Sequence, residues 1–207
     1  MPVQGIDISD FQTVGSFHAV QSAGYGFVVA KATQGTGNVQ ATFPSNESRV
    51  RSTPGLVFGA YHFLSWSSDP VAQAEHFLAV YQPKNGDLPP MLDCEAFTVN
   101  AAVATSMIAK FLQTVEPHLG GSKMLLYTYY SAILQQAFAT DDFAGHPLWI
   151  AEYNSDAQPT IPQTWNTATI WQYSSSQAVP SIPGSVDADR FMGSAADLQA
   201  FTLKNIG

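Results

Sequence analysis

Cysteine is almost missing from this chain. Its 207 residues include one, Cys94, so neither an intrachain disulfide framework nor a cysteine-rich zinc site is available. Cations are nearly as scarce. Eight Lys and Arg stand against sixteen Asp and Glu, for a formal net charge of −8. No basic cluster occurs, and a protein that binds nucleic acid needs cations to neutralise phosphates, so that class is excluded. No apolar run approaches the roughly 18 residues of a membrane-spanning helix, so insertion into a membrane is not expected. Charge of either sign is thin, at 12% of residues against an average of about 25%. The surface must therefore be dressed with Ser, Thr, Gln and Asn. The opening Met1-Pro2-Val3-Gln4 has no basic stretch followed by an apolar one, so no signal peptide is visible.

What is present is a regular alternation. Val3–Asp7, Gly26–Lys31, Leu56–Phe63, Pro90–Glu95, Met124–Tyr129, Leu148–Tyr153 and Ala168–Tyr173 read as strands: short, β-branched or aromatic, and bounded by Gly, Pro or Asn. Most are apolar at nearly every position, as strands of a parallel sheet covered on both faces are. Helical stripes lie between them. Asp69-Pro70 is an N-cap followed by proline at the first helical position, and Val71, Ala74, Phe77, Leu78 and Tyr81 follow at helical spacing. Val103, Met107, Ile108, Phe111, Leu112 and Val115 form a second stripe. This order predicts a single α/β domain over residues 1–207. After Leu148 there is little room for helices. The pattern thus fits a barrel that is α/β first and nearly all β at the end, with an open doubly wound sheet as the alternative.

The few acids are placed tellingly. Asp7, Asp93, Glu95, Glu152, Asp187 and Asp189 lie at or near the carboxyl ends of strand candidates, where parallel α/β folds build their chemistry. Taken singly, Asp10 and Glu152 read as acids that cap a following helix or turn. Asp93 and Glu95 do not, because on a strand residues i and i+2 share a face, with Cβ atoms roughly 6.5–7 Å apart. Such a pair can split its pKa values into one acid and one anion, as glycoside cleavage requires. It can equally offer oxygen ligands to a divalent metal. Cys94, between them, should face the helix layer as a small buried hydrophobe. His62 reads as a hydrogen-bonded strand residue and Lys31 as a counter-charge among acids.

Several motifs, taken together and in order, resemble glycoside hydrolase family 25. They are Gly5-Ile6-Asp7-Ile8-Ser9, Phe27-Val28-Val29-Ala30-Lys31-Ala32-Thr33, Gly59-Ala60-Tyr61-His62-Phe63, Asp93-Cys94-Glu95, Leu126-Tyr127-Thr128, Leu148-Trp149-Ile150-Ala151, Trp171-Gln172-Tyr173 and Val186-Asp187. The resemblance runs from Gly5 to about Phe191. It implies a modified TIM-like barrel of about five βα units followed by three β-rich strands, and hydrolysis of the β-1,4 bond between N-acetylmuramic acid and N-acetylglucosamine in bacterial peptidoglycan. By position it implies Glu95 as general acid, Asp93 as its partner stabilising a cationic centre, and Asp7 and Asp187 as further acids around the cleft. Tyr61, Tyr127, Trp149 and Gln172 match positions near the sugar sites, although Trp149 and Trp171 read equally well as core fillers. No metal or cofactor is implied.

Two positions depart from the family pattern: Gln34 stands where Glu is common and Asp189 where Asn is common. The first removes a charge at the cleft edge and the second is expected to add one. A monomer without a separate wall-binding module is expected. It would reach the wall after release from the cytoplasm through a holin or a secretion system, or by secretion if a leader has been removed. Two other readings remain at this point: an inactive module that only binds peptidoglycan or chitin-like chains, and a metal-dependent hydrolase using Asp7, Asp93 and Glu95 as ligands.

Overall fold

The computed structural model describes residues 1–130, 138 and 143–206. Nine strands form one sheet: β1 (Val3–Ile8), β2 (Tyr25–Gln34), β3 (Asn38–Val39), β4 (Val57–Phe63), β5 (Met91–Asp93), β6 (Leu125–Tyr129), β7 (Leu148–Ala151), β8 (Ile170–Val179) and β9 (Ile182–Phe191). Their order is β1-β9-β8-β7-β6-β5-β4-β2-β3, and β1 also pairs with β2. That last pairing closes eight strands into a barrel and leaves β3 as a short outer ribbon on β2, so the open doubly wound alternative is set aside. Neighbouring barrel strands are parallel except where β9 runs antiparallel to β8 and β1.

Helices α1 (Phe17–Ser22), α2 (Phe43–Arg51), α3 (Pro70–Val80), α4 (Ala101–Val115) and α5 (Ala195–Phe201) are described, with a 3₁₀ turn at Glu116–His118. The Asp69 side chain accepts the Ala72 N–H at 2.9 Å to cap α3, and Asn100 accepts the Val103 N–H at 3.0 Å to cap α4. Both expected stripes are buried, Leu78 only partly, apart from their first residues, Val71 and Val103, which are exposed. Each lies at the edge of its stripe rather than along its middle. The crossover where a fifth helix is expected, between β6 and β7, falls mostly outside the described residues. Among the described residues, no helix is long and apolar enough to cross a membrane.

Strand parity divides the core in two. Phe27, Val29, Val57, Met91, Leu125, Trp149, Ile170 and Phe191 point inward and fill the barrel. Ile6, Val28, Phe58, Leu92, Cys94, Leu126, Ile150 and Trp171 point outward against the helices. Gly5 is required by this packing, since a Cβ there would lie 2.2 Å from the Phe27 ring. Two residues beyond the inward apolar rung, towards the carboxyl ends of the parallel strands, the inward positions turn polar. Asp7 follows Gly5, Lys31 follows Val29, Asp93 follows Met91 and Gln172 follows Ile170. On the antiparallel β9, Asp187 and Asp189 precede Phe191. One period-two pattern therefore builds both the apolar filling and the polar mouth.

Candidate active site

Asp93 is the last residue of β5, buried, with its Oδ1 lacking a hydrogen-bond donor among the described residues. Burial drives its carboxyl well above the usual range; the charge of Glu95 adds to the rise and Lys31 opposes it. The strand ends there, two residues earlier than the sequence predicts, and Glu95 sits on the turn that follows. Ala96 takes a left-handed φ of 50°, so the chain swings away directly after Glu95. Three contacts hold the turn. The Cys94 N–H donates to the Tyr127 carbonyl at 2.9 Å, Thr128 Oγ1 donates to the Cys94 carbonyl at 3.0 Å, and Trp66 Nε1 donates to the Glu95 carbonyl at 2.6 Å. Trp66 is itself stacked on Phe97 at 4.3 Å. Glu95 is half-buried; burial raises its carboxyl, Lys31 opposes, and Asp187 adds to the rise.

Lys31 is the cation of this mouth. Its Nζ donates to Gln34 Oε1 at 2.8 Å and lies 4.5 Å from the centre of the Phe63 ring. A carboxylate at position 34 would pair with it. The neutral Gln34 leaves its field to Asp93, Glu95 and Asp10, whose charges in turn support the ammonium against burial.

On the opposite side, Gln172 is a hub. Its Nε2 donates to Asp7 Oδ2 at 2.7 Å, and its Oε1 accepts the hydroxyls of Tyr127 at 3.1 Å and Tyr153 at 2.6 Å. Asp7 is buried and its carboxyl is pushed well up, by burial first and then by Asp189 and Asp187. Asp187 is also raised by burial. Asp189 does not add a surface charge as expected. It is fully enclosed, accepts Trp149 Nε1–H at 2.8 Å, and is raised to about 8 chiefly by burial.

Trp149 lies inside the barrel at 1% exposure, edge-on to Tyr61 and Tyr127, with no ring face open to a sugar. The most open ring in this sector is Tyr153, at 56% exposure, with Tyr129 and Tyr130 also exposed. With Glu95, Tyr127, Tyr129, Tyr130, Ala151 and Glu152, it lines a depression of about 430 Å³. Tyr129, Tyr130, Tyr153 and Trp66 have no distinguishing sequence pattern. Only the alternation at the end of β6 places Tyr129 on the inward face.

Asp10 and Glu152 are capping acids. Asp10 accepts the N–H groups of Ala41 and Thr42, and Glu152 those of Thr160 and its hydroxyl. His62 is buried outside the barrel. It is 2.7 Å from Thr33 Oγ1 and 3.2 Å from Gln73 Oε1, and burial lowers its pKa to about 4. Cys94 is buried in the outer layer, its thiol pushed up by burial and by Asp93 and Glu95. Among the described residues, no three His, Cys, Asp or Glu side chains converge as a metal-ligand set.

Residues 6–182 match the model of glycosyl hydrolases family 25. The chain belongs to this family. It is similar to lysozyme M1 of Streptomyces globisporus, 31% identical over 209 residues that span 96% of this chain and 70% of that one. It is also similar to the N,O-diacetylmuramidase of Chalaropsis sp, 35% identical over 202 residues, 89% of this chain and 96% of that one. The crystal structure of the bacterial lysozyme from Streptomyces coelicolor superposes with a TM-score of 0.89 at 30% identity, covering 98% of this chain and 97% of the other. This family 25 member is thus a lysozyme-type glycoside hydrolase with the modified α/β barrel of its relatives.

Proposed function

We propose that the protein is a muramidase that hydrolyses the β-1,4 bond between N-acetylmuramic acid and N-acetylglucosamine of bacterial peptidoglycan, with net retention at the anomeric carbon. Glu95 is the general acid, Asp93 stabilises the cationic sugar centre, and Asp7 and Asp187 complete the acidic mouth. The observation that carries this reading is the buried Asp93 carboxyl with an oxygen lacking a donor, beside a half-open Glu95 that faces an aromatic-lined depression. Tyr61, Tyr127 and Gln172 form the polar wall under the sugar, and Tyr153 supplies the ring face against it.

The chemistry requires Glu95 protonated and Asp93 charged. Burial alone favours the reverse, since Asp93 is the more deeply enclosed. The substrate restores the working order. An amide N–H of the substrate's acetamido group satisfies the bare Asp93 Oδ1, and positive charge growing on the sugar ring favours the anion. Lys31 assists at Asp93 by lowering its carboxyl, and at Glu95 burial works against the same cation to hold the proton. Glu95 then gives its proton to the departing glycosidic oxygen, and later takes one from the water that completes hydrolysis. Two carboxyls set two residues apart leave little room for the water that an inverting pair brackets across roughly 6.5–9.5 Å.

Mass spectrometry of peptidoglycan digested by the protein, with EDTA present and the new ends reduced, tests this. Reduced muramic acid is expected at those ends. Reduced glucosamine, cleavage lost in EDTA, or wall binding without cleavage refutes it. An NMR time course in which the inverted anomer comes first refutes retention.

A further inference from the structure

Asp189 lies deeper than the mouth. It is fully buried on the inward face of β9. The Trp149 indole donates to Oδ1, while Oδ2 receives no donor from the described residues, and the Asp189 and Asp7 side chains lie within hydrogen-bond reach of each other. The orientation of Gln172 is not free either. Its Oε1 accepts two tyrosine hydroxyls, so its amide N–H points at Asp7 Oδ2. Two enclosed carboxyls thus face one another with nothing between them to donate. Two bare carboxylates in such contact repel without water to screen them, and one proton between them removes the conflict.

No described cation compensates. The groups facing the pair are Asp187 on the same strand, Tyr153 after β7, Tyr61 of β4 and Tyr127 of β6. Tyr173 and Arg190 lie together on the outer side, where the guanidinium covers the Tyr173 and Trp171 rings.

We propose that Asp189 is a positioning residue of the glycosidase site: it shares one proton with Asp7, and that proton fixes Asp7, Gln172 and the hydroxyls of Tyr127 and Tyr153 in one orientation beneath the sugar. With the proton present, Asp7 accepts from Gln172, Gln172 accepts from both hydroxyls, and the hydroxyl lone pairs are left to receive sugar O–H groups. With the proton gone, the carboxyls separate and the chain of donors loses its direction. The role in turnover rests on the muramidase reading above. The shared proton does not.

The test uses the intact chain. Asp189→Asn keeps a carbonyl for Trp149 and gives Asp7 an N–H that cannot be titrated away, whereas Asp189→Leu offers Asp7 nothing. The ¹H–¹⁵N signal of the Trp149 indole, assigned by its loss in Trp149→Phe, is followed without substrate from about pH 5 to about pH 10. A transition near or above pH 8 in the parent, absent in Asp189→Asn, is expected. On peptidoglycan at about pH 5, Asp189→Asn should keep kcat/KM within about threefold and Asp189→Leu lose about tenfold or more. An indole signal with no transition between about pH 5 and about pH 10, as carboxyls that ionise near the ordinary value of about 4 would give, overturns the shared proton. Equal losses in the two variants overturn the positioning role. A parent chain that shows the indole transition but cleaves no glycan overturns the role through the muramidase reading, with the shared proton intact.

Discussion

Raising the pH from about 6.5 to about 8 should destabilise the folded protein, because it buries carboxyls together with their protons. Unfolded carboxyls ionise near pH 4, while Asp189 holds on to about 8 and Asp7 and Asp93 are raised well above their ordinary values. The folded chain therefore binds more protons than the unfolded one. The stability from these groups is full below about pH 4 and is lost as the pH climbs to the folded values. His62 acts in the opposite sense, held neutral down to about 4. It costs stability only below about pH 6.5, where an unfolded histidine gains a proton, so it is silent in this window.

Counting Asp7 and Asp189 as one shared proton lost at about 8, the fall in the folding constant slackens from about tenfold per pH unit as the pH nears that value. It comes to about 16-fold across the window, or about 1.6 kcal/mol. Asp93, raised in the same direction, adds to the loss. Urea unfolding followed by tryptophan fluorescence measures it. With a slope of about 2 kcal/mol per molar urea, the midpoint should drop by about 0.8 M or more, and by less in Asp189→Asn. A midpoint that stays level or rises between these pH values would refute the reasoning.

Glu95→Gln keeps the shape of the acid but has no proton to give; release of reducing ends should fall at least about 100-fold, with the urea midpoint at about pH 5 retained. Tyr153→Phe removes one of the two hydroxyls on Gln172 Oε1 and should lower kcat/KM by about tenfold without loss of stability, read by glycan turnover and thermal unfolding. Cys94 should resist iodoacetamide in the native protein and react only on unfolding; fast native labelling that abolishes activity would place it on the cleft face. Arg51 bridges Glu47 and the nearly buried Asp87, which also accepts the Tyr81 hydroxyl. Arg51→Met should cost about 3 kcal/mol of stability in a thermal melt and leave turnover per folded molecule unchanged.

Much of this fold was legible because strand parity is a local rule. The inward sequence Met91 then Asp93, with Cys94 turned outward, follows from alternation alone, as do the two-sided strands that imply helices around a barrel. What alternation misses is where it stops. β5 ends at Asp93, so Glu95 shares the mouth through a turn held by Trp66, a residue with no pattern to mark it. β8 and β9 run on through Ser174, Ser175 and Ser176 and past Gly184, a stretch too polar to read as strand because that end of the hairpin is solvated rather than packed. Trp149 matches a family position near the sugar and Tyr153 has no pattern to mark it. Only packing shows that one is enclosed and the other open. Asp189 reads as an added charge because the sequence gives no sign of the Asp7 carboxyl beside it.

The closing of β1 between β2 and β9 has a consequence in time. Asp7 belongs to the first strand to leave the ribosome, and its partner Gln172 lies 165 residues later, with Asp187 and Asp189 later still. While the chain is being made, Asp93 and Glu95 can already stand side by side, but the far wall of the mouth does not exist. The hub on Gln172 forms only when the final strand slots in against the first. Folding must therefore wait on its longest-range pairing, a slow step for any chain. A nascent or prematurely stopped polypeptide carries three of the site's acids, Asp7, Asp93 and Glu95, without their setting. Competence to cut a glycan arrives all at once, with the last seam of the barrel.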